Sequence, residues 1–270
     1  MIDLHCHILP ALDDGAKTIE DAVAMARLAA RDGIETIVAT PHLFRGHSVN
    51  GDLSAIERKS AELRQALQEN KVSMEILTGS EVHISHNLIH EIRWNRDQLV
   101  INRSSYLFVE FPSDHVFPGV KNLFFELMSE GINPIIAHPE RNSVFVKNPR
   151  FLYDLIQMGA FAQANSASFF GVYGSRSSTA LQRFLELNLI HFIASDGHDG
   201  RTPGPRLSEA SRKAGKIIGE ERAGALVRDN PRAVIKNEEL PSRPDPINPE
   251  RKSFSLKIPN VFSRKINIKR

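Results

Sequence analysis

Apolar positions along most of the chain follow two alternating rhythms. Short β-branched or aromatic runs recur at residues 1–4, 35–39, 72–77, 106–111, 133–137, 160–164 and 190–194. Runs of this kind suit strands buried on both faces of a parallel sheet. Between them lie segments with helical spacing, at 18–31, 53–70, 86–95, 120–130, 149–158 and 177–187. Thr18, with acids in the turn after it, starts the first helix, and Asp32-Gly33 stops it. Residues 98–101 read as a small strand or hairpin arm. Helices at 207–218 and 220–228 close the body, and Asn230-Pro231-Arg232 caps its end. Seven strand–helix alternations predict a single-domain parallel α/β fold, and the number suits a closed or nearly closed barrel.

In such folds chemistry collects at the C-terminal ends of the strands, and the polar residues of this chain obey that rule. His5, His7, His42, Glu81, Glu110, His138, Asp196 and His198 each end or follow a predicted strand. An extended His5-Cys6-His7 sends both imidazoles to one side and Cys6 to the other. Asp13 and Asp14 can fold back towards the same point after Pro10. Two imidazoles and a carboxylate suit a borderline divalent metal such as Zn, Mn or Fe. A lone His-x-His is weak; its repetition at one strand end after another is not. Glu110 sits inside an apolar strand, where a carboxylate is costly unless paired or bound to metal. His83 reads equally as a surface residue or as support for a ligand.

Counting Asp14, about nine N and O ligands are at hand, enough for two or three metals with shared carboxylates. Multi-metal sites of that kind acidify a water and clamp phosphoryl oxygens in phosphoester hydrolysis. Arg141 and Arg206 offer bidentate contacts to the remaining phosphate oxygens. A nucleophilic role for Cys6 is disfavoured, because it lies on a strand without a phosphate-cradling loop.

Composition narrows the picture further. The chain has 270 residues and is 41% apolar, enough for one sizeable core. No apolar run approaches the roughly 18 residues of a membrane span. The N-terminus lacks the basic start of a signal peptide. Cys6 is the only cysteine, so a cytoplasmic location is expected. Net charge is +2 but uneven: from Pro241 onward eight basic residues face two acids, leaving the preceding body at −4. A mildly acidic body argues against a nucleic-acid substrate. Residues 1–240 are therefore expected to form the catalytic domain, and 241–270 a basic, Pro-rich, flexible tail. Nothing marks a self-complementary patch.

The full set of motifs resembles the PHP (polymerase and histidinol phosphatase) superfamily. They are His5-Cys6-His7, Asp14, Thr40-Pro41-His42, Gly79-Ser80-Glu81, Glu110, Ala137-His138-Pro139-Glu140-Arg141 and Ala194-Ser195-Asp196-Gly197-His198. Within it, the Asp-Asp-Gly-Ala run after the first motif, Gly-Ser-Glu-Val and Ala-His-Pro-Glu-Arg look like the bacterial manganese-dependent protein-tyrosine phosphatases of capsule and exopolysaccharide systems. The resemblance covers residues 1–235. It implies a distorted (β/α)7 barrel with three metals at its mouth. The implied ligands are His5, His7, Glu81 and Asp196 for one; Glu81, Glu110 and His138 for a second; Asp14, His42 and His198 for a third. The implied ions are Mn2+ first, with Fe, Zn or Co as alternatives. Arg141 matches the family's phosphate-binding arginine; Arg206, or alternatively Arg201, matches a second. The implied substrate is phosphotyrosine on a cognate tyrosine autokinase. A small-molecule phosphomonoesterase such as histidinol phosphatase is the competing reading.

Overall fold

The computed structural model describes residues 1–44, 53–200 and 204–250. Arg201 and residues 251–270 of the expected tail lie outside the described residues. Nine strands occur among the described residues: β1 (Ile2–Cys6), β2 (Thr36–Ala39), β3 (His42–Leu43), β4 (Glu75–Thr78), β5 (Glu81–His83), β6 (Tyr106–Glu110), β7 (Asn133–Ala137), β8 (Phe161–Asn165) and β9 (Phe192–Ala194). All their pairings are parallel. They form a three-stranded sheet, β1-β2-β4, and a six-stranded sheet, β3-β5-β6-β7-β8-β9.

The seven expected strands account for these nine. β2 and β3 are one strand interrupted at Thr40-Pro41, and β4 and β5 are one strand interrupted at Gly79-Ser80. Backbone bonds continue across both gaps: Gly79 N–H donates to Ala39 O (3.0 Å) and Glu81 N–H to Pro41 O (3.1 Å). On the other side, Cys6 bridges Gly197, Asp196 N–H donates to His5 O (2.8 Å) and His7 N–H to Gly197 O (2.9 Å). The first strand thus lies beside the segment that follows the last, in a distorted (β/α)7 ring. Proline explains one seam, since it has no N–H to give to a ladder.

The ring's interior changes character along its height. The floor is apolar, built from Leu4, Val38, Phe108, Ile135, Phe161 and Phe192 among others. Each fully buried side chain of that size contributes about 1.5–3 kcal/mol. The mouth above it is polar. β1 serves both through a break in its register: Asp3 pairs with Ile37 but Cys6 pairs with Ala39, so one extra residue is accommodated on β1. Ile2 and Leu4 therefore face the floor, while His5 and His7 face the mouth and Cys6 joins the outer core. Simple alternation from Leu4 would have turned both histidines away.

Most helices follow the apolar pattern. Ile19–Arg31 starts on Thr18, whose hydroxyl accepts from Asp21 N–H while the Asp21 carboxylate accepts from Thr18 N–H. Three expectations fail. Residues 98–101 are not a strand: helix Leu88–Leu99 runs through, its Arg96 bonding the carbonyls of Glu130 and Gly131, and Ile101 enters the floor from a short 3-10 turn. The strand expected at 72–77 begins only at Glu75. Asn230-Pro231-Arg232 is not a terminal cap but part of helix Asp229–Ile235, where proline falls in the first turn and costs no helical bond.

Past Pro241 the backbone remains attached to the body. Ser242 N–H donates to Asn230 Oδ1 (3.0 Å), Ile247 N–H to Leu187 O (2.8 Å), and the Arg243 guanidinium lies 4.4 Å from the Phe161 ring centre. Arg150 donates to Glu250 (2.9 Å). Contacts with the body therefore extend to Glu250.

Candidate metal centre

Eight of the nine expected ligands converge in three overlapping groups at the mouth. In the first, His5 Nε2 and His7 Nε2 lie 3.2 Å apart. His5 Nε2 is 3.3 Å from Glu81 Oε2 and 3.5 Å from Asp196 Oδ1; the corresponding distances for His7 are 3.4 and 3.2 Å. All four side chains are buried. The second group adds His42 and Asp14 with His198: Asp14 Oδ1 is 3.5 Å from His42 Nε2 and 3.3 Å from His198 Nε2. His42 Nδ1 is 2.9 Å from Glu81 Oε2 and 3.7 Å from Glu110 Oε2, so His42, Glu81 and Glu110 form a third set of donors. The ninth residue, His138, reaches the other Glu81 oxygen, with Nε2 3.0 Å from Oε1. His83 supports Glu110, 3.3 Å from its Oε2.

Local backbone explains the aim of several of these groups. His138 (φ 31°), directly after β7, and Asp196 (φ 51°), two residues past β9, both adopt left-handed backbone. That conformation is unfavourable for residues with a Cβ and concentrates at functional sites. Gly15 lets the Asp13-Asp14 loop press onto β1; a Cβ there would collide with the His7 carbonyl oxygen.

Neighbours fix the protons of three imidazoles. His7 Nδ1–H donates to Asp13 Oδ2 (2.7 Å). Gln163 Nε2 donates to Ala164 O, so its Oε1 faces His5 and accepts from His5 Nδ1–H (3.1 Å). His198 Nδ1–H donates to Asp196 O (2.9 Å). Each of these rings therefore offers a bare Nε2 lone pair to the centre. Glu81 Oε2 is buried and accepts no hydrogen bond, although three imidazole nitrogens lie 2.9–3.4 Å away. The Nε2 lone pairs of His5 and His7 face the Glu81 and Asp196 carboxylate oxygens with no proton between them, and a cation relieves that repulsion. The 3.2–3.5 Å spacings in the first group match the ligand–ligand edge of about 3.4 Å that bonds of about 2.1 Å give around a tetrahedral ion. Mixed imidazole and carboxylate donors fit Mn, Fe or Zn better than Ca or Mg.

Both shared carboxylates are held ionised despite their burial. Burial pushes the Glu81 carboxyl up, but His5, His138 and His42 outweigh it and hold it well below its ordinary value. Burial likewise opposes ionisation of Asp196, and His5, His7 and His138 again prevail. Burial drives the Cys6 thiol well above its ordinary value, and Cys6 Sγ turns to Gly197 O (3.5 Å). It is no nucleophile.

Arg141 stands at the edge of the cluster. Its Nη1 donates to Asp196 Oδ2 (2.6 Å), and its Cζ lies 4.3 Å from the Tyr173 ring centre. A narrow cleft of about 90 Å³ reaches the cluster here, between His83, Glu110, His138, Arg141 and Asn142. Arg206 is exposed and lines a cleft of about 540 Å³ with Leu28, Ser166 and Phe170, whose lining includes none of the nine ligand candidates.

A match to the capsular polysaccharide synthesis family CpsB/CapC spans residues 1–236. The chain belongs to that family. It is 37% identical to the tyrosine-protein phosphatase YwqE of Bacillus subtilis (strain 168), over 95% of this chain and all of that protein. It is 29% identical to the tyrosine-protein phosphatase CpsB of Streptococcus pneumoniae, over 88% and 99%. A solved structure from work on those two proteins, described as metal-dependent tyrosine phosphatases, superposes with a TM-score of 0.86 at 37% identity, covering 93% of this chain and all of that one. Histidinol phosphate phosphatase from Lactococcus lactis shares the fold at a TM-score of 0.53 and 16% identity, over 83% and 95%.

Three residues of this CpsB/CapC site were not among the expected ones: Gln163, Asn165 and Tyr173. Gln163 carried a signal, because it interrupts an apolar strand just as Glu110 does. Asn165 ends a strand, as the ligand candidates do. Tyr173 carried none.

Proposed function

We propose that this chain is a metal-dependent protein-tyrosine phosphatase that hydrolyses phosphotyrosine on proteins. The observation that carries the reading is Glu81 Oε2, buried without a hydrogen bond amid three imidazole nitrogens, with Arg141 alongside. The names borne by its CpsB/CapC relatives support the same activity. His5, His7, Glu81 and Asp196 hold one cation, Glu81, Glu110 and His138 a second, and Asp14, His42 and His198 a third. Manganese is the ion we assign. Bound divalent cations supply an acidified water as nucleophile and neutralise charge at phosphorus.

The chain's own groups do the rest. Asp13, Gln163 and the Asp196 carbonyl hold three imidazoles in the tautomer that leaves Nε2 free. Arg141 binds phosphate oxygens through the guanidinium nitrogens not engaged by Asp196. Arg206 is the second arginine assigned to phosphate, on the loop after β9. The substrate we assign is the phosphotyrosine of a tyrosine autokinase that governs capsule synthesis, met in the cytoplasm. Among the described residues no helix is long and apolar enough to cross a membrane.

The test is turnover of a phosphotyrosine peptide and of histidinol phosphate with added Mn2+, in wild type, His138→Ala and Asp196→Ala. Peptide turnover that exceeds histidinol phosphate turnover, and falls at least about 100-fold in both variants, is expected. Undiminished turnover in both variants would overturn the mechanism.

A further inference from the structure

Arg141 is the guanidinium nearest the cluster, and one of its nitrogens is spent on Asp196. Its value to a phosphate depends on how the remaining N–H groups are aimed. They make no hydrogen bond among the described residues, and the side chain is 32% exposed, so the protein must hold their plane by other means. Tyr173 lies against that plane, its ring centre 4.3 Å from Cζ. Stacking fixes a guanidinium's plane while leaving its in-plane donors free.

Tyr173 is itself held. Asn165 Nδ2 donates both to the Tyr173 hydroxyl (3.1 Å) and to Asp196 Oδ2 (2.8 Å). That second oxygen is the one Arg141 touches. Arg141, Asp196, Asn165 and Tyr173 thus close a ring of contacts. Asn165 is anchored in turn: its Oδ1 accepts from Ala167 N–H (2.8 Å), and its own N–H donates to the buried Glu140 Oε1 (2.8 Å). Ser168 Oγ donates to the same Glu140 oxygen (2.7 Å).

We infer that Tyr173 is a positioning residue for phosphate binding: held by Asn165, its ring sets the plane of Arg141 so that the free guanidinium donors meet phosphoryl oxygens. This rests on the phosphatase reading above. A packing role alone would not need the hydroxyl bonded to the side chain that grips Asp196.

The test compares Tyr173→Leu, Tyr173→Phe and Arg141→Ala, and Tyr173→Leu in the Arg141→Ala background, using the full chain with Mn2+. Three readouts are taken: kcat and KM on a phosphotyrosine peptide, competitive inhibition by inorganic phosphate, and bound metal. Tyr173→Leu is expected to raise KM and the phosphate inhibition constant about tenfold, with metal content unchanged. Tyr173→Phe keeps the ring but loses the bond to Asn165, and should raise both by about threefold, between wild type and Tyr173→Leu. In the Arg141→Ala background Tyr173→Leu should have little further effect, because it acts through Arg141. Wild-type protein without phosphotyrosine turnover would sink the phosphatase reading itself. Wild-type turnover together with an unaltered KM in Tyr173→Leu, full additivity with Arg141→Ala, or loss of metal in Tyr173→Leu would overturn the positioning role alone.

Discussion

The floor and the mouth of the ring are built by the same strands, a residue or two apart, and differ in almost every physical respect. On the floor, Phe108, Phe161 and Phe192 fill space and need only volume and shape. At the mouth, His5, His7, Glu81 and Asp196 are as deeply buried, yet each depends on a neighbour that fixes its proton or charge. Equal burial therefore carries opposite meanings: below it stabilises outright, and above it creates a demand that a cation meets.

That contrast can be broken from either side. The largest effect is expected at the mouth. Glu81→Gln should lower turnover by about a thousandfold or more and reduce bound metal, read by mass spectrometry of the purified protein, with little loss of folding. On the floor, Phe192→Ala should do the reverse. It should cost about 3–5 kcal/mol of stability in urea unfolding, while the fraction still folded keeps its turnover and metal.

Asp13→Ala touches no substrate but frees His7 to change tautomer, and should lower metal affinity about 10- to 100-fold. A titration of metal into the metal-free protein would measure it.

The floor also has a pH dependence of its own. Burial, with Arg243 and Arg222 nearby, holds His191 down at about 3 against an ordinary 6.5. The folded protein keeps this ring neutral, whereas the unfolded chain binds a proton below 6.5. Its contribution is therefore constant above 6.5 and is lost as pH falls from 6.5 towards 3. By pH 5 the loss should be about 2 kcal/mol, and His191→Gln should remove it, as seen by urea unfolding at pH 7 and pH 5. The smallest effect belongs to the segment past Pro241: Arg243→Ala, which deletes the stacking on Phe161, should cost only about 0.5–1 kcal/mol.

How far the two regions could be read from the amino acids alone also differs. Floor strands announce themselves through β-branched runs, and 133–137 coincides with β7. The mouth was legible because ligand-type residues recur where those runs end, and eight of the nine lie together there. What escaped was whatever depends on three-dimensional neighbours. The seams at Thr40-Pro41 and Gly79-Ser80 split two strands without altering the apolar pattern. The helix through residues 98–99 is sustained by Arg96 reaching another helix's end, and tertiary contact of that kind overrides β propensity. Tyr173 became part of the site through its contacts with Arg141 and Asn165, which no periodicity links to it.

The extra residue accommodated between Asp3 and Cys6 decides which chemistry the first strand delivers. Deleting one residue there would leave the hydropathy profile almost untouched, yet swing both imidazoles outward among the helices and bring Cys6 into the interior. Such a chain would keep the composition of an enzyme inside an inert shell. Reactivity in this protein is encoded partly in a skipped step of backbone, a quantity no residue-by-residue tally records.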